Sequence, residues 1–256
     1  MDIKRIIPCL LLRNAGFVKT RGFKDPVYLG DCFNTVRLFN EKEADELLLL
    51  DITATPAGRP PNFDLLHDIA GECFMPVAYG GGIRSMDDMR RLFKAGFEKV
   101  GLNTEAARNP GLIECAAKEF GSQSVIVSID VRRRMFGRYE VFINGGRQGT
   151  GMDPVTAAKR ATDMGAGEIL LTSIDRDGAM EGYDLELLRK VADAIPVPLI
   201  ACGGAGSLRD FRDALQHGGA SAVAAGSFFV FMGRHRAVLI TYPSQVDLAK
   251  EVFDGA

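Results

Sequence analysis

The stretch AYGGGIRSMDD at residues 78–88 decides the fold, because a closely similar stretch, ACGGAGSLRD, returns at residues 201–210. Aligning Ser85 with Ser207 sets the two copies 122 positions apart. Each copy reads as an apolar strand, a glycine loop, a helix, a second strand and a small polar turn. Glycines after a buried strand let backbone N–H groups approach an anion. The repeat therefore predicts a duplicated chain with a phosphate-type site in each half; two tight turns are the alternative.

Eight short apolar runs are candidate strands, at residues 5–12, 46–52, 76–79, 99–102, 124–130, 168–172, 198–201 and 222–225. Near-continuous hydrophobic runs are typical of parallel strands that are covered on both faces. Helical patterns separate them, at residues 34–42, 63–73, 85–95, 110–120, 153–164, 185–194 and 207–217. Residues 139–143 predict a small hairpin after the fifth strand. These units, without a break in composition, predict an α/β fold: a single (β/α)8 TIM barrel domain over residues 1–256, with a two-fold half-barrel repeat.

The composition excludes several classes of function. The net charge is −2 and the basic residues are dispersed, so no nucleic-acid partner is expected. No apolar run approaches the roughly 18 residues of a membrane span, and the charged N-terminus does not read as a signal peptide. The five cysteines include no CxxC pair, which predicts buried reduced thiols in a cytoplasmic protein. No metal-ligand spacing and no cofactor motif is present, so we expect neither a metal nor a cofactor.

Chemistry in a β/α barrel belongs at the carboxyl ends of the strands. Asp130 ends the fifth strand, where partial burial can raise its pKa and suit it to acid–base work; a loop cap is the alternative. Asp51 ends the second strand, on the same rim. Asp177 is followed by Gly178, so a ligand contact and a plain turn are both open at Asp177. The predicted phosphate or substrate contacts are Asp51, Gly81, Gly82, Asn103, Thr104, Asp177, Gly178, Gly204, Gly226 and Ser227.

Charged residues mark the opposite mouth of the predicted barrel. Arg5, Glu46, Lys99 and Glu168 each stand at the start of a strand, and Glu46 and Glu168 are again 122 positions apart. Four such residues of alternating sign predict a ring of charge around the barrel floor. Isolated solvated charges on the rim are the alternative.

Nearly the whole chain resembles the cyclase subunit of imidazole glycerol phosphate synthase, from histidine biosynthesis. The segments that carry the resemblance are KRIIPCL at residues 4–10, residues 45–53, GGGI at residues 80–83, residues 120–123, the run GAGEILLTSIDRDG at residues 165–178 and CGGAG at residues 202–206. The resemblance implies that a glutaminase subunit docks on the N-terminal barrel face. Its ammonia then passes a gate that matches Arg5, Glu46, Lys99 and Glu168, with Gln123 as a neighbouring floor residue. A phosphorylated small molecule binds at the opposite mouth.

One departure from the family pattern bears on catalysis. The family cyclises its substrate with two aspartates, at the ends of strands one and five; Asp130 matches the second, while Leu11 stands at the first. The loop of residues 13–26 is shorter than the family's substrate loop, although Lys19 matches the family's loop lysine. Leucine cannot transfer a proton, and loss of such a group removes about 10²–10⁴ in rate.

A side branch of the family is associated with sugar amidation, and residues 8–14 and 16–20 resemble it. There the barrel and its glutaminase feed ammonia to a separate amidotransferase that modifies nucleotide sugars for surface polysaccharide, including lipopolysaccharide. The expected function is therefore ammonia transfer on that branch. Two alternatives stay open at this point: a working cyclase of histidine biosynthesis, and a catalytically silent scaffold for the glutaminase. Whether the chain is itself an enzyme is open in the same way.

Overall fold

Eight parallel strands close into a barrel in the computed structural model, which describes residues 4–233 and 235–253. The strands are β1 (Arg5–Arg13), β2 (Leu47–Asp51), β3 (Val77–Gly80), β4 (Lys99–Leu102), β5 (Val125–Arg133), β6 (Glu168–Ser173), β7 (Leu199–Cys202) and β8 (Ala222–Ala225). Each pairs in parallel with the next, and β8 closes the barrel against β1 with Ile6 opposite Val223. The predicted TIM barrel is confirmed, with strand ends shifted by a few residues.

Helices connect the strands on the outside of the barrel. They are α1 (Cys32–Glu41), α2 (Phe63–Glu72), α3 (Met86–Ala95), α4 (Gly111–Phe120), α5 (Pro154–Asp163), α6 (Leu185–Ala192) and α7 (Leu208–Gln216). Short helices and helical turns lie at Thr104–Arg108, Ser122–Ser124, Met135–Gly137, Ile174–Arg176, Ser227–Val230, Gln245–Leu248 and Ala249–Phe253. The duplication persists in the caps: Ser85 with Asp88, and Ser207 with Asp210, each form a capping box, in which side chains satisfy the first helical N–H groups.

Three hairpins decorate the carboxyl end of the barrel. The first hairpin along the chain, Gly16–Arg21 with Lys24–Asp31, corrects the expectation of a loop over residues 13–26: this segment pairs with β1 and is ordered by backbone hydrogen bonds. The second hairpin, Tyr139–Ile143 with Gln148–Gly149, is the predicted excursion after β5. The third, Phe231–Met232 with Ala237–Val238, had no signal in the sequence, because its strands are only two residues long.

Alternate residues of β1 face opposite sides of the barrel wall, as the two-residue period of a strand requires. Ile6, Leu10 and Leu12 pack outward against the helices. Ile7, Cys9 and Leu11 point into the bore and join a second apolar cluster there, whose other buried members are Val18, Leu48, Ala78, Ile126, Leu170, Ile200, Ala222 and Ala224. The bore therefore has an apolar middle section, with Leu11 near its upper end.

The cysteines follow the prediction only in part. Cys9 and Cys32 are buried and Cys73 and Cys202 are half-buried, but Cys115 is exposed on α4. The helical pattern around Cys115 is apolar on one face only, and this residue lies on the other. Over residues 4–233 and 235–253, no group of three or more His, Cys, Asp or Glu side chains is arranged to hold a metal ion. Nor does any helix of that part have the length and apolar character to cross a membrane.

Candidate active site and charged barrel floor

A cavity of about 410 Å³ opens at the carboxyl ends of the strands. Every residue predicted to bind substrate or to act in catalysis lines this cavity, as expected for the carboxyl ends of barrel strands. Its lining includes Leu11, Lys19, Asp51, Gly81, Gly82, Asn103, Thr104, Asp130, Asp177, Gly178, Gly204, Gly226 and Ser227. Side chains that converge on one concave site make it the candidate active site.

Asp130 is the titratable group best suited to proton transfer in this cavity. Burial, followed by the nearby Asp177 carboxylate, raises the pKa of Asp130 to about 7, although hydrogen bonds from Ser128 and Thr172 oppose the shift. The Asn103 side-chain amide donates to Asp130 Oδ2 over 3.3 Å and to the Ser128 carbonyl over 3.0 Å. A carboxyl group whose pKa lies near neutrality can take up and release a proton at physiological pH.

Lys19 reaches the site from the first hairpin and is fixed there by Asp177. The Lys19 ammonium donates to Asp177 Oδ1 over 2.6 Å and to the Thr20 carbonyl over 2.9 Å. Asp177 Oδ2 accepts from the Thr20 hydroxyl over 2.8 Å and from the Phe23 N–H over 3.3 Å. The carboxylate thus holds both the lysine and the turn of the hairpin, and the geometry brings two predicted site residues into direct contact.

No second acid accompanies Asp130 on β1, because Leu11 occupies the position of the family's first aspartate. The Leu11 side chain is only 9% exposed and packs in the apolar cluster of the bore, beside the partly buried Leu50 and Ile52. On one side of Leu11 the strand pairs with Leu50, and on the other with Val18 of the hairpin. The neighbourhood of Leu11 is hydrophobic, so proton transfer in this part of the mouth depends on other residues.

The glycine loops require glycine for steric reasons. Gly81 and Gly204 have φ angles of 124° and 126°, in the region that side chains disfavour. A Cβ atom at Gly81 would lie 2.5 Å from the Asp51 carbonyl oxygen, and one at Gly204 would lie 2.1 Å from the Gly182 carbonyl oxygen. Their counterparts 122 positions away, Gly203 and Gly82, also have positive φ angles, of 87° and 72°. Each loop therefore holds two glycines in this region and presents bare backbone to the cavity.

Asp51 serves the loop after β2. Its Oδ1 atom accepts from the Thr53 N–H, the Thr53 hydroxyl and the Ala54 N–H, over 2.7 to 2.9 Å. The side chain lines the cavity, but these bonds occupy one carboxylate oxygen as a loop cap. The predicted ligand contact is compatible with this cap, since the other oxygen makes none of these bonds.

Two hydroxyls hold equivalent places in the two halves. Thr104 Oγ1 accepts from the Asn144 N–H over 2.9 Å, at the turn of the second hairpin. Ser227 Oγ accepts from Arg236 Nη2 over 3.3 Å, at the third hairpin. Sequence reasoning missed Arg236, because the short strands around it have no periodic pattern.

The charged floor is a closed ring of four side chains. Arg5 bonds Glu46 through Nη1, and Glu168 through Nη2 over 2.8 Å. Lys99 Nζ lies 3.2 Å from Glu46 Oε1 and 3.1 Å from Glu168 Oε1. Signs therefore alternate around the ring, as predicted, and these are not isolated solvated charges.

Two details define the ring further. Burial disfavours charge on Arg5, but Glu46 and Glu168 outweigh it and hold the arginine pKa above its usual value. Glu168 Oε2 is buried and has no hydrogen-bond partner among the described residues. Gln123 does not join the ring: it is exposed, and its amide donates to the Phe120 carbonyl over 3.2 Å, because the helical turn at Ser122–Ser124 directs it away.

Comparison with known proteins places this barrel in a family. Residues 5–234 match the family model described as "Histidine biosynthesis protein". The chain belongs to that family. It is 50% identical over 240 residues, 94% of this chain and 96% of the relative, to a Pseudomonas aeruginosa protein named "Putative imidazole glycerol phosphate synthase subunit hisF2".

Two further relatives cover the chain almost as completely. The "Putative imidazole glycerol phosphate synthase subunit HisF" of Leptospira interrogans is 49% identical over 244 residues, 95% of this chain and 96% of the relative. The "Imidazole glycerol phosphate synthase subunit HisF" of Alkaliphilus metalliredigens is 46% identical over 229 residues, 90% of this chain and 91% of the relative. The barrel is thus of the HisF type that its sequence resembles.

Proposed function

We propose that this chain is the barrel subunit of a glutamine-dependent complex, which receives ammonia at its charged floor and delivers it at the opposite mouth. The acceptor is a nucleotide sugar on a separate amidotransferase, as in the sugar-amidation branch, and the glutaminase docks on the N-terminal face. One observation carries the proposal: the four-residue ring is complete while Leu11 stands at the family's first aspartate position.

The ring suits a gate because its charges are mutually compensated. Arg5 and Lys99 each bond both carboxylates, so the floor holds four charges without a counter-ion from solvent. An ammonium ion would pay a large desolvation cost in the apolar bore above, whereas neutral ammonia would not. The bore above the ring is apolar, and Ala78, Ala222 and Ala224 are among its small side chains. The arrangement therefore supports passage of the neutral molecule.

The mouth retains features that bind a phosphorylated ligand. The loops at Gly81 and Gly204 line the cavity with glycine backbone, and Thr104 and Ser227 add a hydroxyl in each half. Oriented N–H groups and hydroxyls are the usual donors to phosphate oxygens. We infer that a molecule with two phosphate-type groups, or two such molecules, binds across the cavity.

A second candidate function is the cyclase reaction of histidine biosynthesis. The observation in its favour is Asp130, whose pKa of about 7 suits general acid–base catalysis. On this alternative Asp130 acts alone, or another cavity residue replaces the missing aspartate. The name of the Alkaliphilus relative agrees with it. The name hisF2 of the Pseudomonas relative suits a numbered additional copy, which agrees better with a separate role.

Gene deletion in the source organism separates the candidates. We expect the deletion strain to grow without histidine and to lose amide nitrogen from its surface polysaccharide. A histidine requirement would instead identify the working cyclase.

Complementation of that strain then tests the ring. A Glu46→Gln allele should fail to restore amidation at low ammonium and recover when the medium is rich in ammonium, since only delivery is impaired. The matched allele Glu119→Gln breaks an exposed ion pair with Arg90 and should complement fully. Full complementation by Glu46→Gln would leave the silent scaffold as the better account.

A further inference from the structure

The two halves of the mouth differ in the group that donates a hydrogen bond to the site hydroxyl. In the first half, the Thr104 hydroxyl oxygen accepts from a neutral backbone N–H, that of Asn144. In the second half, the Ser227 hydroxyl oxygen accepts from the guanidinium of Arg236. Both hydroxyls are buried and both line the cavity. The second half therefore carries a positive charge where the first half carries a peptide group.

The glycine loops show the opposite asymmetry. The first loop carries its own cation, Arg84, which lines the cavity. The position 122 residues later is Gly206, where no cation is available. A Cβ atom at Gly206 would lie 2.5 Å from the Met180 carbonyl oxygen, so an arginine does not fit there. Lys19 lines the cavity beside Gly226, but its charge is compensated by Asp177. A positive charge without a carboxylate partner has to come from another part of the fold.

Arg236 is held where that charge is missing. Its Nη1 atom donates to the Gly178 carbonyl over 3.0 Å and its Nη2 atom to Ser227 Oγ over 3.3 Å, while its guanidinium carbon lies 4.8 Å from the Phe231 ring centroid. No carboxylate among the described residues forms an ion pair with it. Its own backbone has a φ of 51°, uncommon for a residue with a side chain. The third hairpin thus orders a cation without an ion-pair partner beside Gly178 and Ser227, two residues that line the cavity.

We propose that Arg236 supplies the positive charge that binds a phosphate-type anion at the second glycine loop. A guanidinium has five N–H donors, of which two are engaged here, and the others remain for anion oxygens. The Ser227 hydroxyl accepts from Arg236 and keeps its own proton to donate. The backbone N–H of Gly204 supplies a further donor. The inference rests on the ligand site of the proposed function and names the residue that decides affinity in one half.

Site-resolved titration of the full chain with inorganic phosphate tests this assignment. Backbone amide chemical shifts of Gly204 and Ser227 report on the second loop, and those of Gly82 and Thr104 report on the first. Arg236→Gln should weaken phosphate binding at the second loop by at least about tenfold, the usual effect of losing a charged hydrogen bond. Binding at the first loop should stay unchanged. Arg236→Lys, which keeps the charge, should fall between Arg236→Gln and the wild type.

The choice of glutamine separates anion binding from a purely structural contact. A glutamine amide can still donate to the Gly178 carbonyl, so a latch between the two loops would survive the substitution. Arg84→Gln is the matched control, expected to weaken the first loop only. Equal affinity of wild type and Arg236→Gln at the second loop would overturn the inference and leave the ligand site standing. If the wild type shows no saturable shifts at the second loop, both the role of Arg236 and the proposed ligand site are ruled out. The titration needs neither glutaminase nor ammonia, so neither result bears on nitrogen delivery.

Discussion

Arg5 and Lys99 share the same two carboxylates: each bonds both Glu46 and Glu168 across the barrel floor. Both cationic side chains are less than a quarter exposed, and both glutamates are buried. If one carboxylate is removed, Arg5 and Lys99 therefore share a single carboxylate in a poorly solvated part of the barrel floor.

Glu46→Gln is expected to lower the free energy of unfolding by up to about 3 kcal/mol, since breaking a buried charge network leaves charge uncompensated. Urea unfolding measures this. The control Glu119→Gln, in a pair whose side chains are 53% and 39% exposed, should change it by no more than about 1 kcal/mol. Equal effects of the two substitutions would mean that the ring is solvated and cannot act as a gate.

Asp130 should make stability depend on pH. Its pKa of about 7 in the folded chain exceeds the ordinary value of 3.8, so the folded state holds the proton more tightly. The stability it contributes is complete below the unfolded pKa and is lost as pH rises through about 7, up to about 4 kcal/mol.

Asp130→Asn removes this titration. Urea unfolding should be measured for both proteins at about pH 5 and about pH 8. The free energy of unfolding of the variant, relative to that of the wild type, should be higher at about pH 8. A difference that does not change with pH would contradict the buried, protonated carboxyl.

Asp177→Asn should have two linked effects. It removes the partner of the buried Lys19 and should lower the free energy of unfolding by about 3 kcal/mol. It also removes a negative charge that helps to raise the pKa of Asp130, so that pKa should fall. NMR titration of the Asp130 carboxyl measures the second effect. Asp193→Asn, on an exposed helical ion pair, is the control that should do neither.

Gly204→Ala should damage the second loop. Its φ of 126° and the carbonyl 2.1 Å from the added Cβ predict a loss of about 1–3 kcal/mol or more, and loss of phosphate binding there. Gly71→Ala is the matched control: it lies in α2 with nothing within 4 Å, and should stabilise the chain by up to about 1 kcal/mol. Both values come from urea unfolding. A neutral Gly204→Ala would show that the loop tolerates a side chain.

The barrel and most of its mouth follow from local sequence signals. Apolar runs, caps and glycine stops predicted every barrel strand to within a few residues, because each depends on neighbours in the chain. The strand-end rule then placed Asp130, Asp177 and the glycine loops in one cavity.

What could not be predicted depends on contacts between distant segments. The first hairpin has no clear signal in the sequence, because its pairing with β1 is set by the fold. Arg236 reaches Ser227 through a hairpin with two-residue strands, and the outward turn of Gln123 depends on the helical turn that holds it. None of these has a periodic pattern.

The central claim is that the barrel lacks cyclase activity because Leu11 replaces an aspartate, while the ring still takes part in ammonia transfer. Steady-state turnover of the family's ribulosyl substrate with ammonium salt tests it most directly, in the wild type, Leu11→Asp and the acid-free control Leu11→Asn. We expect Leu11→Asp to exceed the other two by about a hundredfold or more, the contribution of a positioned acid–base group. Wild-type turnover equal to or above that of Leu11→Asp would contradict the account.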